Sequence, residues 1–167
     1  MRYPGSSLRR GGWLPALGAW MALAAAAEGA EWHVRPGESI AQAVRQARAG
    51  DTITVERGEY REQVLFDKPL ILRGHDRPTL SGDHRGDVIR VKAPDVTIEG
   101  LIIRDSGADL TSQNAGIYIE PGAHRAVVRN NDVVHTLFGL WIERANDVEV
   151  ANNLIVGRRD LQSAQRG

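Results

Sequence analysis

The sequence predicts an all-β fold, a right-handed parallel β-helix of 22–23-residue coils with a short N-terminal capping helix. Three observations carry this. Gly139-Leu140-Trp141-Ile142-Glu143 repeats Gly116-Ile117-Tyr118-Ile119-Glu120 at a spacing of 23, and Val150 follows Val128 by 22. In both blocks an Asn-Asn step, Asn130-Asn131 and Asn152-Asn153, leads into a β-branched run, Val133-Val134 and Leu154-Ile155-Val156. Short apolar strands at a fixed period, cornered by Asn or Gly, describe a solenoid with one coil per repeat. Leucine-rich repeats share the period, but their Leu-x-x-Leu-x-Leu frame is absent.

The first element is a leader over residues 1–30. Arg2, Arg9 and Arg10 form a basic start, Trp13 to Ala27 is an apolar run of fifteen, and Ala25-x-Ala27 is a small-residue cleavage motif. This is the pattern of a secretory signal peptide, shorter than a bilayer-spanning anchor. A membrane helix or a buried helix is the competing reading. Arg9-Arg10 raises twin-arginine export, but Leu8 and Gly11-Gly12 fit it poorly, so general secretion is favoured. About 137 residues remain after the leader, one domain's worth. The 21 basic and 21 acidic side chains balance. Losing Arg2, Arg9, Arg10 and Glu28 leaves 18 against 20, a net charge of about −2 with no footprint for nucleic acid. Cys is absent, so no disulfide framework supports the chain.

Residues 31–50 are read as an N-terminal cap. Ile40, Ala43, Val44 and Ala47 fall at i, i+3, i+4 and i+7, with Ser39 placed as N-cap and Gly50 past the C-terminus, predicting a helix over 39–49. A solenoid's first coil has an open end, and a helix there blocks edge-to-edge association. Coils then fill 51–167. Asp51 to Val55 reads as the first strand, closed by Glu56 to Tyr60; Val64-Leu65-Phe66 and Leu70-Ile71-Leu72 follow. The next runs are Val88 to Val91, Val96-Thr97-Ile98 and Leu101-Ile102-Ile103, with Pro69, Pro78 and Pro94 between runs, where a missing N–H costs no ladder bond.

Ile89 to Ile117 spans 28 residues, about six more than a coil, and Asp105 to Asn114 accounts for the excess as a loop protruding from a corner. The Asn pairs are expected to form side-chain ladders between stacked corners. Alternation puts Ile117, Ile119, Leu140 and Ile142 inside and points Tyr118 and Trp141 outward, one above the other. Such a pair is either a binding platform or cross-coil packing beneath a loop. After Val156 the chain turns polar, with no capping element before Gly167. About four coils, a column roughly 20 Å tall at ~4.8 Å per coil, would leave strand edges open, so the coils are expected to be truncated at the C-terminus.

Several segments carry a family resemblance. The opening Ser39-Ile40-x-x-Ala43, Ala49-Gly50-Asp51-Thr52-Ile53 and Gly58-x-Tyr60 is common among secreted β-helices. Lys68-Pro69-Leu70-x-Leu72-Arg73-Gly74, Gly86 to Val91, Val96 to Gly100, Arg104-Asp105-Ser106-Gly107 and Asn114 to Ile119 are more discriminating. Together they resemble the NosD family, periplasmic proteins needed to mature nitrous oxide reductase. The resemblance implies a periplasmic, non-enzymatic accessory role in assembling the reductase's copper-sulfur centre. It also implies partnership with an ABC transporter, peripheral membrane association through that transporter, and copper as the metal.

The residues themselves demonstrate no cofactor. Soft Cu(I) sites favour Cys and Met, and both Met residues, Met1 and Met21, lie in the leader. The five His (His33, His75, His84, His124 and His135) form no tight pair; His124 and His135, the weak metal candidates, are eleven apart and expected on different faces. The partner-contact candidates are Asp105, Asp109 and Asn114 in the long loop, with Tyr118 and Trp141 beside it.

The main rival is a carbohydrate-active β-helix: a polysaccharide lyase, hydrolase, epimerase or sugar-binding module. Catalysis would need clustered carboxylates and a base on one groove. Asp83, His84 and Asp87 are close in sequence and Arg104-Asp105 enters the loop, but no paired-Asp motif recurs between coils, so no catalytic residue is assigned. A sugar-binding module would instead use the Tyr118 and Trp141 rings.

Overall fold

The computed structural model describes residues 29–158. The signal peptide expected over 1–30 lies outside the described residues except for its last two, as does the polar tail beyond Arg158. The first turn holds β1 (Glu31–Val34) and α1 (Ile40–Gln46). Three strands per coil follow: β2 (Thr52–Val55), β3 (Glu59–Arg61) and β4 (Val64–Phe66), then β5 (Ile71–Gly74), β6 (Thr79–Ser81) and β7 (Ile89–Val91). The next coil is β8 (Thr97–Glu99), β9 (Ile102–Arg104) and β10 (Ala115–Ile119), and the next β11 (Val127–Arg129), β12 (Asp132–Thr136) and β13 (Phe138–Ile142). β14 (Glu149–Ala151) and β15 (Leu154–Gly157) begin another.

Like strands stack in parallel. The first sheet runs β1-β2-β5-β8-β11-β14, the second β15-β12-β9-β6-β3 and the third β13-β10-β7-β4. The fold is a parallel β-helix of about six turns, more than the four coils the repeats alone predict. Among the described residues no helix is long and apolar enough to cross a membrane.

Alternation explains the core. Ile53, Leu72, Ile98 and Val128 stack in register in the first sheet, and Tyr60, Leu80, Ile103 and Val133 in the second. Phe66, Val91 and Ile119 do the same in the third. All eleven are buried, each aliphatic one contributing about 1.5–3 kcal/mol. A one-residue slip in any strand would turn its column out to solvent, so the pattern enforces the register.

Three strands depart from the expected layout. Glu31–Val34, read as cap, is the first strand of the first sheet and pairs with β2. Glu59–Arg61, read as a closing turn, and Thr79–Ser81, unassigned, are strands of the second sheet. Each places few apolar residues inward, so a search for apolar runs passes over it. Ile142, expected inside, is 44% exposed and Leu140 is only partly buried. Both do align with the inward Ile119 and Ile117, but they belong to the last described strand of that sheet.

The helix is held from outside itself. At seven residues it is too short to persist alone. Ser39 is its N-cap, accepting from Gln42 N. Glu62, from the following coil, accepts from Ile40 N (2.7 Å), Ala41 N (3.1 Å) and Ser39 Oγ (2.7 Å). Lys68 Nζ donates to the carbonyls of Val44 (3.1 Å) and Arg45 (3.2 Å) at the other end. An anion at the N-terminus and a cation at the C-terminus complement the helix dipole. Buried Ile40, Ala43 and Val44 join the core, and α1 packs on β1, β2 and β4. It occupies the place of a third-sheet strand in the first turn.

The Asn pairs divide two jobs. Asn130 and Asn152 take left-handed corners at φ 57° and 55°. Asn131, fully buried, accepts from Leu101 N (3.1 Å) and donates to Ile98 O (3.0 Å) and Asn153 Oδ1 (3.1 Å). Asn153 donates in turn to Val128 O (2.8 Å). The ladder thus climbs one coil per Asn. Charge is stacked similarly: Glu99 sits between Arg73 and Arg129, each 2.7 Å away, in one row of the first sheet. Burial pushes its carboxyl up, but the two guanidinium groups outweigh that and hold it below its ordinary value.

Two stability tests follow from these contacts. Replacing Asn131 with Ala strands Leu101 N–H and Ile98 C=O in the core, a loss expected to be on the order of 3 kcal/mol in urea unfolding. Asn130→Gly keeps the left-handed corner and should stay within about 1 kcal/mol of wild type; equal losses for the two variants would refute the division of labour.

The second test uses Asp51, which accepts from Arg48 N (2.8 Å), Trp32 Nε1 (2.9 Å) and Ala30 N (2.8 Å). Chiefly the first two bonds hold its carboxyl below 3.8. Because the folded value is depressed, this stabilisation is present above about 3.8 and lost as pH falls through the folded value. Asp51→Asn should therefore melt earlier than wild type near neutrality, with the gap narrowing in acid. A gap independent of pH would show that the charge plays no part.

Candidate functional site

The Asp105–Asn114 insertion is a short, braced loop rather than a free one. Asp105 is only 9% exposed, and Ser106 and Asn114 are buried at its base. Asn114 Oδ1 accepts from Asp109 N (3.1 Å), while Asp109 accepts from Thr111 N (2.9 Å) and Ser112 Oγ (2.6 Å). The Ser112 and Thr111 bonds hold the Asp109 carboxyl below its ordinary value. What reaches solvent is the tip, Ala108 to Ser112, with Leu110 41% exposed. Of the loop residues expected to meet a partner, the structure therefore leaves Asp109 accessible and puts Asp105 and Asn114 to work inside.

Tyr118 and Trp141 are in register neighbours on the outer face of the third sheet, with Arg90 and Leu65 in the same row. They form no open aromatic platform. Tyr118 is 5% exposed: the Arg90 guanidinium lies 4.4 Å over its ring and its hydroxyl donates to Glu143 at 2.7 Å. That bond raises the Tyr118 hydroxyl and lowers the Glu143 carboxyl relative to their ordinary values. Arg90 is held in turn by Asp87 (2.7 Å) and Glu120. Trp141 is half-buried against Phe138, with ring centroids 4.9 Å apart. Of the two alternatives for this pair, the geometry is that of cross-coil packing.

A third arrangement gathers residues from three successive coils. β6, β9 and β12 lie side by side, pairing Ser81, Arg104 and Val134. The residues just beyond them, His84, Asp105 and His135, bring one ligand atom each to within 4.8 Å of the others. All three sit at positive φ (60°, 59° and 54°). His135 occupies a β-bulge in β12, between Val134 and Thr136, a device that re-aims a side chain.

Asp105 Oδ1 meets His135 Nδ1 at 2.7 Å, and Oδ2 accepts from Ser81 Oγ at 2.9 Å and pairs with Arg104 Nε at 3.2 Å. Burial pushes the Asp105 carboxyl up, but the His135 and Ser81 bonds with the Arg104 and His84 charges hold it below its ordinary value. The two imidazole rings meet edge-on at 5.9 Å. These groups line a cleft of about 390 Å³ with Arg61 and Asp83.

The cleft's charges cancel locally. Arg61 and Arg104 both pair with Glu59, Arg104 also with Asp105, and Arg85 pairs with Asp83, three cations against three anions. Two imidazoles and a carboxylate are borderline-to-hard donors suited to Cu(II), Zn(II) or Ni(II). The sequence has no Cys, and its Met residues are Met1 and Met21, so the thiolate and thioether ligands of a Cu(I) site are missing here. Copper, implied by resemblance, fits this donor set as the divalent ion and not as Cu(I).

His124 lies apart from this cluster, accepting from Asn146 N at 3.0 Å. The meeting of His84, Asp105 and His135 escaped the sequence reading. The signal was there in the alignment of Ile103-Arg104-Asp105 with Val133-Val134-His135, which predicts that Asp105 and His135 stack. A half-coil count between His124 and His135 does not reveal it.

No protein-family model matches the chain. Among curated proteins it is 33% identical over 110 residues to the probable ABC transporter binding protein NosD of Stutzerimonas stutzeri, covering 66% of this chain and 25% of that protein. It is 32% identical over 106 residues to a Pseudomonas aeruginosa protein of the same name, covering 64% of this chain and 93% of that one. The chain thus spans about a quarter of the length of the first relative. Among solved structures, a pectin methylesterase variant in complex with a hexasaccharide is similar at TM-score 0.58 and 18% identity, over 79% of this chain and 58% of that one. At that identity the likeness establishes the β-helix fold alone.

The loop's rigidity can be tested at Gly107. A Cβ there would collide with Asn114 Oδ1 and lie 2.7 Å from Gly86 N. Gly107→Ala should leave the β signal in circular dichroism intact but open residues 108–113 to limited proteolysis. Cleavage no faster than in wild type would mean that the base does not brace the tip.

Proposed function

The chain belongs to the NosD family, and we propose that it serves as an exported, non-enzymatic accessory protein that docks on an ABC transporter. In this reading it works in the periplasm, associates peripherally with the membrane through the transporter, and supports assembly of the copper-sulfur centre of nitrous oxide reductase. The observation that carries the proposal is the identity to curated relatives named as probable ABC transporter binding proteins.

The geometry supports it in a second way. A docking protein needs an accessible contact whose conformation is settled before binding, because ordering a loop on association costs affinity. The tip from Ala108 to Ser112 offers an exposed Leu110 on a turn already fixed by Asp109 and Asn114. A rigid stack of coils behind it supplies the support. By contrast, the Tyr118 ring is covered, so the surface a sugar-binding module would use is not presented.

The test is retention of the full-length exported protein by membranes containing its candidate transporter. Wild type should be retained, and replacing residues 108–113 with a short Gly-Ser link should weaken retention by about tenfold or more, roughly 1.4 kcal/mol, without loss of β signal. Retention unaffected by the replacement would remove the loop as the contact. No retention, together with Trp fluorescence quenched by acidic polysaccharides, would favour the carbohydrate-active alternative.

A further inference from the structure

We propose that His84, Asp105 and His135 form a binding site for a divalent transition-metal ion, with Cu(II) and Zn(II) as the chemical class it takes. The site stands on this chain's own residues and does not depend on the docking role.

Four features argue for a built site. First, the three side chains come from the turn after β6, the residue after β9 and the bulge near the end of β12, and supply the two-nitrogen, one-oxygen set that borderline divalent ions prefer. Their donors lie within 4.8 Å of one another, so small side-chain adjustments bring them to bonding distances of about 2.0–2.2 Å around one ion. Second, His135 owes its position to a bulge that interrupts otherwise regular pairing in β12. A strand continued regularly through this point would present alternate residues to opposite faces, and the extra residue re-aims the ring.

Third, the carboxylate is oriented by partners of its own. Ser81 Oγ, itself almost fully buried in the row below, donates to Asp105 Oδ2 at 2.9 Å, leaving Oδ1 on the imidazole. Metal sites characteristically fix their ligands through such outer contacts. Fourth, the cleft is open, with His84 exposed, and the neighbouring arginines are already paired with carboxylates. A cation can enter without facing an uncompensated positive field, and the open side leaves room for water or a further ligand.

The other imidazole pair makes the comparison needed. His33 and His75 flank Glu56 at 3.6 and 3.1 Å on the first sheet's outer face, but their donors do not converge to the same degree. His124 is a third, isolated imidazole.

The experiment is titration of the metal-free, full-length protein with Zn(II) and separately with Cu(II). It is read by calorimetry and, for copper, by electron paramagnetic resonance. One equivalent should bind, and the Cu(II) spectrum should show coupling to two imidazole nitrogens. His84→Ala changes an exposed side chain and His135→Ala a partly exposed one; each should weaken binding by at least tenfold and remove one nitrogen from the coupling pattern. Ser81→Ala should weaken it by about tenfold through the carboxylate alone. The double variant His33→Ala/His75→Ala and His124→Ala should bind as wild type. Absence of binding, unchanged binding in folded His84→Ala, or loss of binding in the His33/His75 variant would each overturn the assignment.

Discussion

In a stack of parallel coils each residue lies directly over its counterpart one turn away, so inter-coil register is the constraint on which everything else depends. Ile53, Leu72, Ile98 and Val128 form one column because their strands pair without offset. The same register places Glu99 between Arg73 and Arg129, where opposite charges alternate down a row and like charges are kept apart. It also allows Asn131 to reach Ile98 and Leu101 on one side and Asn153 on the other. Apolar packing, charge alternation and polar satisfaction thus point to one alignment of the coils, the consistency expected of a well-specified fold.

The groups proposed to bind a partner or a metal ion lie where that regularity is interrupted. The Asp105–Asn114 loop enters between β9 and β10, yet Ile89 and Ile117 still pair in register on either side of it. The insertion therefore projects outward instead of dislocating the stack. The bulge at His135 is the opposite device, an extra residue absorbed inside a strand. Because Asp105 opens the loop and bonds His135 at the bulge, the proposed docking surface and the imidazole–carboxylate cluster are neighbours. The loop's base is buried and hydrogen-bonded, so only its tip is free to differ in chemistry from the scaffold.

Much of the fold was legible because the coils containing residues 116–120 and 139–143 repeat without insertion. Their period of 23 reappears as the β10–β13 pairing, and the Asn steps reappear as corners and ladder. Earlier coils are harder to read. The first-sheet register advances 21 residues from Trp32 to Ile53, 19 to Leu72 and 26 to Ile98, so no single period finds β1, β3 or β6.

The site was less legible than the fold, for a physical reason. Alternation correctly aimed Tyr118 away from the core, but its cover comes from Arg90, 28 residues earlier, and a period-two pattern says nothing about what lies over an outer face. Asp105 and Asn114 are polar loop residues by sequence, yet the hydrogen bonds that draw them inside are made only when coils stack. His84 and His135 are 51 residues apart and meet only through Asp105 and the bulge.

We propose that this β-helix is a docking module whose contact is the loop tip. A photo-reactive amino acid at position 110 of the full-length exported protein, illuminated in membranes containing the transporter, would report that contact by cross-linking. A covalent adduct to the transporter is expected from position 110 and little or none from position 125, an exposed corner away from the loop. Equal adducts from both positions, or none from 110 while the protein is retained, would contradict it.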